Sequence, residues 1–124
     1  HLVKRNCQRF ASLMKQIVDN YVLPNGTEPI VEWLEALQDI KGRAKIRARI
    51  NQLRAGNPGQ FNVVAPGIME MKLDYGPGYR IYFARVGNKM MLLLCGGDKS
   101  TQRADIKKAT DYLSDYKRRV REHD

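Results

Sequence analysis

The sequence has few cysteines, no excess of proline or glycine, and no long apolar run. Its 124 residues include 2 Cys, 5 Pro and 10 Gly, which argues against a disulfide scaffold and against a disordered or fibrous chain. The longest uninterrupted apolar run covers residues 90–95, whereas a membrane helix needs roughly 20. No basic segment followed by an apolar one opens the sequence, so we expect no export signal. These absences favour a globular cytoplasmic protein with free thiols and no membrane partner.

Histidine is equally scarce. His1 and His123 stand at the two ends of the sequence, so no cluster of Cys and His has the spacing of metal ligands. Gly96 and Gly97 precede a predicted helix but lack the flanking pattern of a nucleotide-binding loop. We therefore expect neither a metal nor a small-molecule cofactor.

Positive charge is what the sequence has in excess. Lys and Arg number 22 against 13 Asp and Glu, which gives a net charge of +9. A small domain this basic is expected to bind a polyanion or an acidic protein. The charge alone leaves open whether that partner is nucleic acid, anionic lipid or protein.

The length predicts a single domain. The first half of the sequence predicts two helices after a strand-like stretch at residues 17–22. The apolar residues from Ile30 to Leu37 recur at i, i+3, i+4 and i+7, which is the pattern of one helical face. A second helix is predicted over about residues 41–54, ended by a glycine-rich turn. Two helices with a short linker between them make an αα-hairpin.

In the second half the apolar period changes to alternation. Residues 69–75 and 79–84 alternate apolar and polar side chains, and residues 90–95 are apolar throughout. We expect a three-stranded antiparallel meander whose last strand is buried on both faces. A final helix begins at Ser100 or Thr101. The predicted fold class is therefore α+β.

Residues 1–13 show no clean pattern. We interpret them as an extension of the domain or a leader foreign to the native chain, with Met14 as a candidate native start. The alternative is a short amphipathic helix carrying Phe10, Leu13 and Ile17. Residues 14–124 form the predicted single domain.

One face of the predicted meander gathers polar residues. We expect the hairpin to close symmetrically around residues 76–78. That register pairs Asp74 with Arg80 and, one step away on the same face, Lys72 with Tyr82. The solvent-facing set is then Glu70, Lys72, Asp74, Arg80 and Tyr82, with Lys99 at one end.

These residue types suit RNA cleavage without a metal, which needs a base for the 2′-hydroxyl and cations for the pentacovalent phosphate. Arg80 suits the phosphate because its planar fork meets two oxygens at once. Glu70 is the candidate base, and Lys72 or Lys99 is the candidate that neutralises the leaving 5′-oxygen. Tyr82 is the candidate for stacking on the RNA. Dependence on the 2′-hydroxyl would make RNA, not DNA, the substrate.

The alternative is a face that only keeps the protein soluble, because opposed charges such as Asp74 and Arg80 are ordinary on the exposed side of an antiparallel pair. Composition and register by themselves favour this alternative, and they indicate only a basic domain that binds polyanions.

The second predicted helix is strongly basic. Arg43, Lys45 and Arg47 are its candidate RNA-binding residues, and Arg43 and Arg47 lie one turn apart on the same face. Such a helix could follow a phosphate backbone. The alternative is an ordinary solvated outer face.

Four segments carry a resemblance to a known family. Residues 75–83 read YGPGYRIYF and residues 92–102 read LLLCGGDKSTQ, and EWL at 32–34 and GNPG at 56–59 add to them. Over roughly residues 16–118 the sequence resembles the RelE/ParE toxin superfamily, and within it the HigB-like addiction module killer proteins.

The resemblance implies a RelE-like fold, with the N-terminal αα-hairpin packed on an antiparallel sheet and a helix at the C-terminus. It also implies the toxin of a type II toxin–antitoxin module, held inactive by a cognate antitoxin. RelE and HigB relatives cleave messenger RNA in the ribosomal A site, whereas ParE relatives inhibit DNA gyrase without chemistry. A third possibility is a relative that has lost its activity and only binds its antitoxin.

By position in the family motifs, Arg80 corresponds to a phosphate-binding arginine, Lys72 to a strand lysine and Lys99 to the basic residue after the last strand. Glu70 occupies another position where relatives carry an active-site residue. One departure is that residues 102–105, where several relatives have a Tyr or His, read QRAD. The resemblance therefore favours a metal-independent messenger RNA endoribonuclease and leaves its acid and base unassigned.

Overall fold

The computed structural model describes residues 17–88 and 90–122. Residues 1–13 and Met14 lie outside the described residues, and so does the interpretation of that segment as a leader; Ile17, which the alternative placed in a helix with Phe10 and Leu13, is instead the first residue of a strand. The described chain contains five strands and three helices, the last of them C-terminal, so the α+β class is confirmed. In chain order they are β1 (Ile17–Asn20), α1 (Pro29–Ala36), α2 (Ile40–Arg54), β2 (Asn62–Ala65), β3 (Ile68–Lys72), β4 (Arg80–Val86), β5 (Met90–Gly97), a 3₁₀ turn (Lys99–Thr101) and α3 (Gln102–Glu122).

The strands form one sheet in the order β1-β5-β4-β3-β2. The predicted meander β3-β4-β5 is antiparallel, and β2 extends it as a further antiparallel strand. β1 runs parallel to β5, so the prediction of a purely antiparallel sheet is wrong. A parallel pair needs a long connection, and the chain between β1 and β5 supplies one that contains two helices.

Helices cover both faces of the sheet. Residues of α1 and α2 pack with one set of strand side chains, including Met71, Ile81 and Phe83. Residues of α3 pack with the opposite set, including Ile68, Tyr82 and Ala84. β4 and β5 are therefore buried on both faces, which explains their nearly continuous apolar sequence. No helix within the described residues has the length and apolarity needed to span a membrane.

The β3–β4 register differs from the symmetric hairpin by two residues. Lys72 pairs with Arg80 and Glu70 with Tyr82, and the Leu73 amide donates to the carbonyl oxygen of Tyr79. The connection is longer than expected because a turn forms inside it, closed by the Gly78 amide and the Tyr75 carbonyl. A shift of two residues keeps every side chain on its predicted face and changes only the partners.

Asp39 connects this loop to α2. Its carboxylate caps the helix by accepting from the Gly42 amide at 2.9 Å, and it also accepts from the Tyr79 hydroxyl at 2.8 Å. These hydrogen bonds, the one from Gly42 foremost, hold the pKa of Asp39 below its ordinary value. A Cβ on Gly42 would lie 2.6 Å from both Asp39 and Tyr79, so the cap and the loop require glycine there.

A second polar contact connects α3 to Tyr21, the residue that follows β1. The buried Tyr21 donates its hydroxyl to Asp115 at 2.5 Å and stacks on Tyr112 with ring centres 4.8 Å apart. The Arg119 guanidinium lies 5.3 Å from the centre of the Tyr21 ring and is 2.8 Å from Asp115. Burial, followed by the Asp115 contacts, raises the pKa of Tyr21 to about 12.

Tyr21→Phe removes this buried hydrogen bond and should lower the free energy of unfolding by about 1–2 kcal/mol in urea titrations at pH 7. Tyr116→Phe, at a half-buried position on α3, is the control and should lower the free energy of unfolding by less. The pKa of tyrosine in the unfolded chain is about 10, and the pKa of Tyr21 in the folded protein is about 12. Its contribution is therefore complete below about pH 10 and lost as the pH rises through about 12. An equal difference between wild type and Tyr21→Phe at both ends of that range would contradict the assignment.

Candidate active site

The candidate site lies where β3 and β4 meet the first turn of α3. On β3, Glu70 is the cross-strand partner of Tyr82 on β4, and Lys72 is the partner of Arg80; one further pair lies between them in the ladder. Residues two apart in a strand point to the same side, and here that side is the one packed against α3. The face that was expected to be wet is largely covered: Glu70 is 0% exposed and Arg80 7%.

Glu70 is held by residues from two other elements, β4 and α3. Oε2 accepts a hydrogen bond from Gln102 Nε2 at 2.8 Å and lies 3.6 Å from Arg80 Nε. Oε1 has no hydrogen-bond partner among the described residues. A buried carboxylate without full hydrogen bonding is costly, and the Tyr82 hydroxyl, also buried without a partner in the described chain, belongs to its cross-strand neighbour.

The Arg80 guanidinium also keeps unused hydrogen-bonding capacity. Nη1 donates to the Gly78 carbonyl at 3.0 Å, but Nε donates to nothing within residues 17–88 and 90–122. An unpaired buried donor costs roughly 1–3 kcal/mol. A bound anion would supply the missing acceptor.

Two exposed lysines flank Arg80. Lys72 is its cross-strand partner, and Lys99 follows β5 in the 3₁₀ turn. The Lys99 amide donates to the Pro77 carbonyl at 3.4 Å, and both Arg80 Nη1 and Lys99 Cβ lie 3.4 Å from where a Cβ on Gly78 would be. The β3–β4 loop and the turn therefore bring Lys72, Arg80 and Lys99 to one end of the sheet, as predicted.

Asp98 fixes that turn. Its carboxylate accepts from the Ser100 amide at 2.8 Å and from the Ser100 hydroxyl at 2.5 Å. The Ser100 hydroxyl is the main cause that lowers the pKa of Asp98, and the charge of Arg80 adds to it. Asp98 is thus an anion at neutral pH that sets the conformation from which Lys99 projects.

The structure corrects the prediction for Tyr82. It was expected on the wet face as a stacking residue, but it is 0% exposed and packs in the core under α3. Its hydroxyl has no hydrogen-bond partner among the described residues. Burial, followed by the neighbouring Glu70 carboxylate, raises the pKa of Tyr82. The residue is placed to support Glu70 and cannot stack on a nucleic acid.

The three basic residues of α2 do not form one surface with the sheet residues. Lys45 Nζ lies 5.0 Å from the centre of the Tyr75 ring in the β3–β4 loop, which brings it toward the site. Arg47 instead lines a groove of about 270 Å³ together with Arg54, between α1, α2 and β5. Arg43 is half-buried. Only Lys45 extends the positive charge of the site.

The chain contributes residues here that sequence reasoning gave no role. Gln102, the first residue of α3, supplies the hydrogen bond to Glu70. A depression of about 360 Å³ opens beside Glu70 and Lys72 and is walled by residues 59–62, which include Phe61. The sequence signal for Phe61 is weak, because it is a single apolar residue after a glycine-rich turn.

This arrangement can bind an anion and hold a carboxylate next to it. A face that only keeps the protein soluble would be exposed, whereas Glu70 and Arg80 are buried. Arg80 is also the cross-strand partner of Lys72 and not of Asp74. Burial raises the pKa of the Cys95 thiol to about 12, so this cysteine is no nucleophile at neutral pH. Among the residues that the structure describes, no group of three or more His, Cys, Asp or Glu is placed to hold a metal ion.

Comparison with known proteins gives a relative but no activity. An uncharacterized protein of Haemophilus influenzae is 48% identical to this chain over 77 residues, which are 62% of this chain and 78% of that protein. No protein-family model matches the sequence.

Gln102→Ala leaves Glu70 Oε2 without its donor and should lower the free energy of unfolding by about 1–3 kcal/mol. Arg103→Ala, at the next and exposed position of the same helix, should change it by less than about 0.5 kcal/mol. Urea unfolding of both variants measures the difference. Equal effects would show that the 2.8 Å contact contributes nothing to holding Glu70.

Proposed function

This chain belongs to the same family as the uncharacterized Haemophilus influenzae protein, and from the geometry of its site we propose that it is a metal-independent endoribonuclease. In this proposal it is the toxin of a type II toxin–antitoxin pair and cuts messenger RNA on the ribosome, in the cytoplasm. The finer fold assignment belongs to the same proposal: a RelE-like arrangement with α1 and α2 as an αα-hairpin on the sheet.

One observation carries the proposal. Arg80 is buried with a donor that no described residue satisfies, while Lys72 and Lys99 stand on either side of it. A phosphate needs a planar, hydrogen-bonding cation and additional positive charge as its fifth oxygen bond forms. A domain with a net charge of +9 also attracts RNA at long range.

The proposed division of labour follows from the geometry. Arg80 binds the scissile phosphate, and Lys72 shares its developing charge. Glu70 accepts the proton of the 2′-hydroxyl through Oε1, the oxygen without a partner, while Gln102 holds Oε2. Lys99 neutralises the departing 5′-oxygen. The attack forms a 2′,3′-cyclic phosphate and releases a 5′-hydroxyl end.

The wider RNA contact and the protein partner are further parts of the proposal. Lys45 extends the positive charge from the β3–β4 loop, and Arg43 and Arg47 add positive charge elsewhere on α2 for the ribosome and its message. A cognate antitoxin neutralises the toxin, and the net charge of +9 is matched by an acidic partner.

The burial of Glu70 favours a second candidate function. With no accessible surface, its carboxylate reaches a 2′-hydroxyl only if a neighbouring side chain moves aside. A ParE-like inhibitor, which blocks DNA gyrase through a protein interface, has no need of an accessible base. Experiment must therefore separate cleavage from binding.

Arg80→Ala should abolish toxicity on induction and reduce cleavage of messages by about 10²–10³-fold, because a cation facing the phosphate is lost. Arg85→Ala is the matched control, since Arg85 is an exposed arginine on the same strand, bonded to the Asn88 carbonyl. Primer extension across cellular messages measures the cuts, and thermal unfolding checks that both variants fold.

Three outcomes decide between the candidates. Cuts inside translated regions that vanish only in Arg80→Ala support the endoribonuclease. Growth arrest with intact messages and a DNA-damage response moves the assignment to gyrase inhibition. A harmless wild-type protein, shown to be folded and expressed, contradicts both and leaves only a relative that binds its antitoxin.

Glu70→Gln keeps the shape of the side chain and removes the proton acceptor, so cleavage should fall by about 10²–10⁴-fold while RNA binding is retained. Single-turnover cleavage and RNA binding are measured on the same preparation. Unchanged cleavage would remove Glu70 from the role of base and leave it the role of positioning Arg80.

A further inference from the structure

The depression beside Glu70 has the size and lining of a site for one small ligand. Its volume is about 360 Å³, within the roughly 300–1,000 Å³ of small-ligand sites. Resting on the endoribonuclease function proposed above, we propose that it binds one unpaired RNA base, with Phe61 as the stacking surface. The residues that line it are Gly59, Gln60, Phe61, Asn62, Glu70 and Lys72.

Phe61 is the aromatic residue suited to this task. It is 42% exposed and packs edge to face on Phe83, with ring centres 5.9 Å apart. Edge-to-face packing holds a ring in place without covering it as a stacked partner would. Proteins that bind single-stranded RNA use such rings as platforms, because every base has a π-face.

The rest of the lining adds polar groups of the kinds that recognise a base. Gln60 and Asn62 are both exposed, and a side-chain amide offers both donors and an acceptor to a base edge. Glu70 forms the buried side of the depression and has no accessible surface of its own. The lining therefore combines a flat apolar surface with convergent hydrogen-bonding groups.

The position of the depression fits a nucleotide joined to the scissile phosphate. Lys72 lines it and is also the cross-strand partner of Arg80, and neighbouring strands are only about 4.8 Å apart. Phe61 packs on Phe83, on the face covered by α1 and α2, so a base on Phe61 lies around the β2 edge of the sheet from Glu70, and its phosphate lies beside Lys72. Base binding would thus bring the RNA backbone to the Lys72 end of the proposed active site.

The wall of the depression is held in place before any ligand binds. Arg49 of α2 donates through Nη2 to the Gln60 carbonyl at 3.2 Å. Gly59 has a φ of +65°, and a Cβ there would lie 2.3 Å from Arg49 Nη1. A preformed wall reduces the ordering that ligand binding would otherwise require.

The test compares two RNA probes on the purified full chain. One is a fluorescent hexaribonucleotide with 2′-fluoro sugars, which lacks the attacking hydroxyl and is not cut, and the other has the same backbone without bases. Phe61→Ala should weaken binding of the first probe by between about 5-fold and 150-fold and leave the abasic probe unchanged. Phe61→Leu, which keeps apolar contact with Phe83, should fold normally and lose part of the same affinity.

Val63→Ala is the matched control, because Val63 is 71% exposed on β2 and is not part of the depression. Wild-type affinity of both Phe61 variants for the first probe would overturn the base site, and so would an equal loss for both probes. If the proposed endoribonuclease site were wrong, the result would differ from a failure of the base site: Arg80→Ala and Lys72→Ala would then bind both probes with wild-type affinity. Retained phosphate binding with no effect at Phe61 therefore rejects only the base site.

Discussion

A buried carboxylate between two strands and a helix organises one whole side of this sheet. Glu70 meets Arg80 across the β3–β4 ladder and Gln102 at the start of α3, so all three elements are set by one charged group. Taking both charges out of water costs several kcal/mol, and their attraction repays it only with complete hydrogen bonding. Here Glu70 Oε1 and Arg80 Nε remain unpaired. The apolar cluster around Tyr82 on the same face must therefore stabilise α3.

Local patterning predicted which residues share a face, because alternation in a strand survives any shift by two. Glu70, Lys72 and Arg80 were placed together on that basis, and the structure brings them together. It could not predict that α3 covers them. Whether a polar face meets water or a helix depends on contacts such as Gln102 to Glu70, 32 residues apart, and no local period contains that information. Tyr82 was misplaced for the same reason.

The register of the β3–β4 hairpin and the two edge strands of the sheet could not be predicted from local sequence patterns either. The β3–β4 connection contains an additional turn closed by Gly78 and Tyr75, and it contacts a distant element through the hydrogen bond from Tyr79 to Asp39. β2 was not predicted, since it is a four-residue strand whose Val63 is exposed, and β1 pairs with β5 only through a long-range parallel contact. Phe61 gains its place at the site from its neighbours across the sheet, Phe83 above all.

The contacts of α3 at both of its ends impose an order on synthesis. A ribosome delivers a chain from its N-terminus, so Glu70 and Arg80 are made before the helix that encloses them. Gln102 and Asp115 arrive last, and they close the polar face and anchor Tyr21, 94 residues back along the chain. A nascent polypeptide that ends before α3 thus carries its charged pair unenclosed and its Tyr21 without Asp115. The enclosed site forms only once α3 has been made, and a nascent chain lacks it until then.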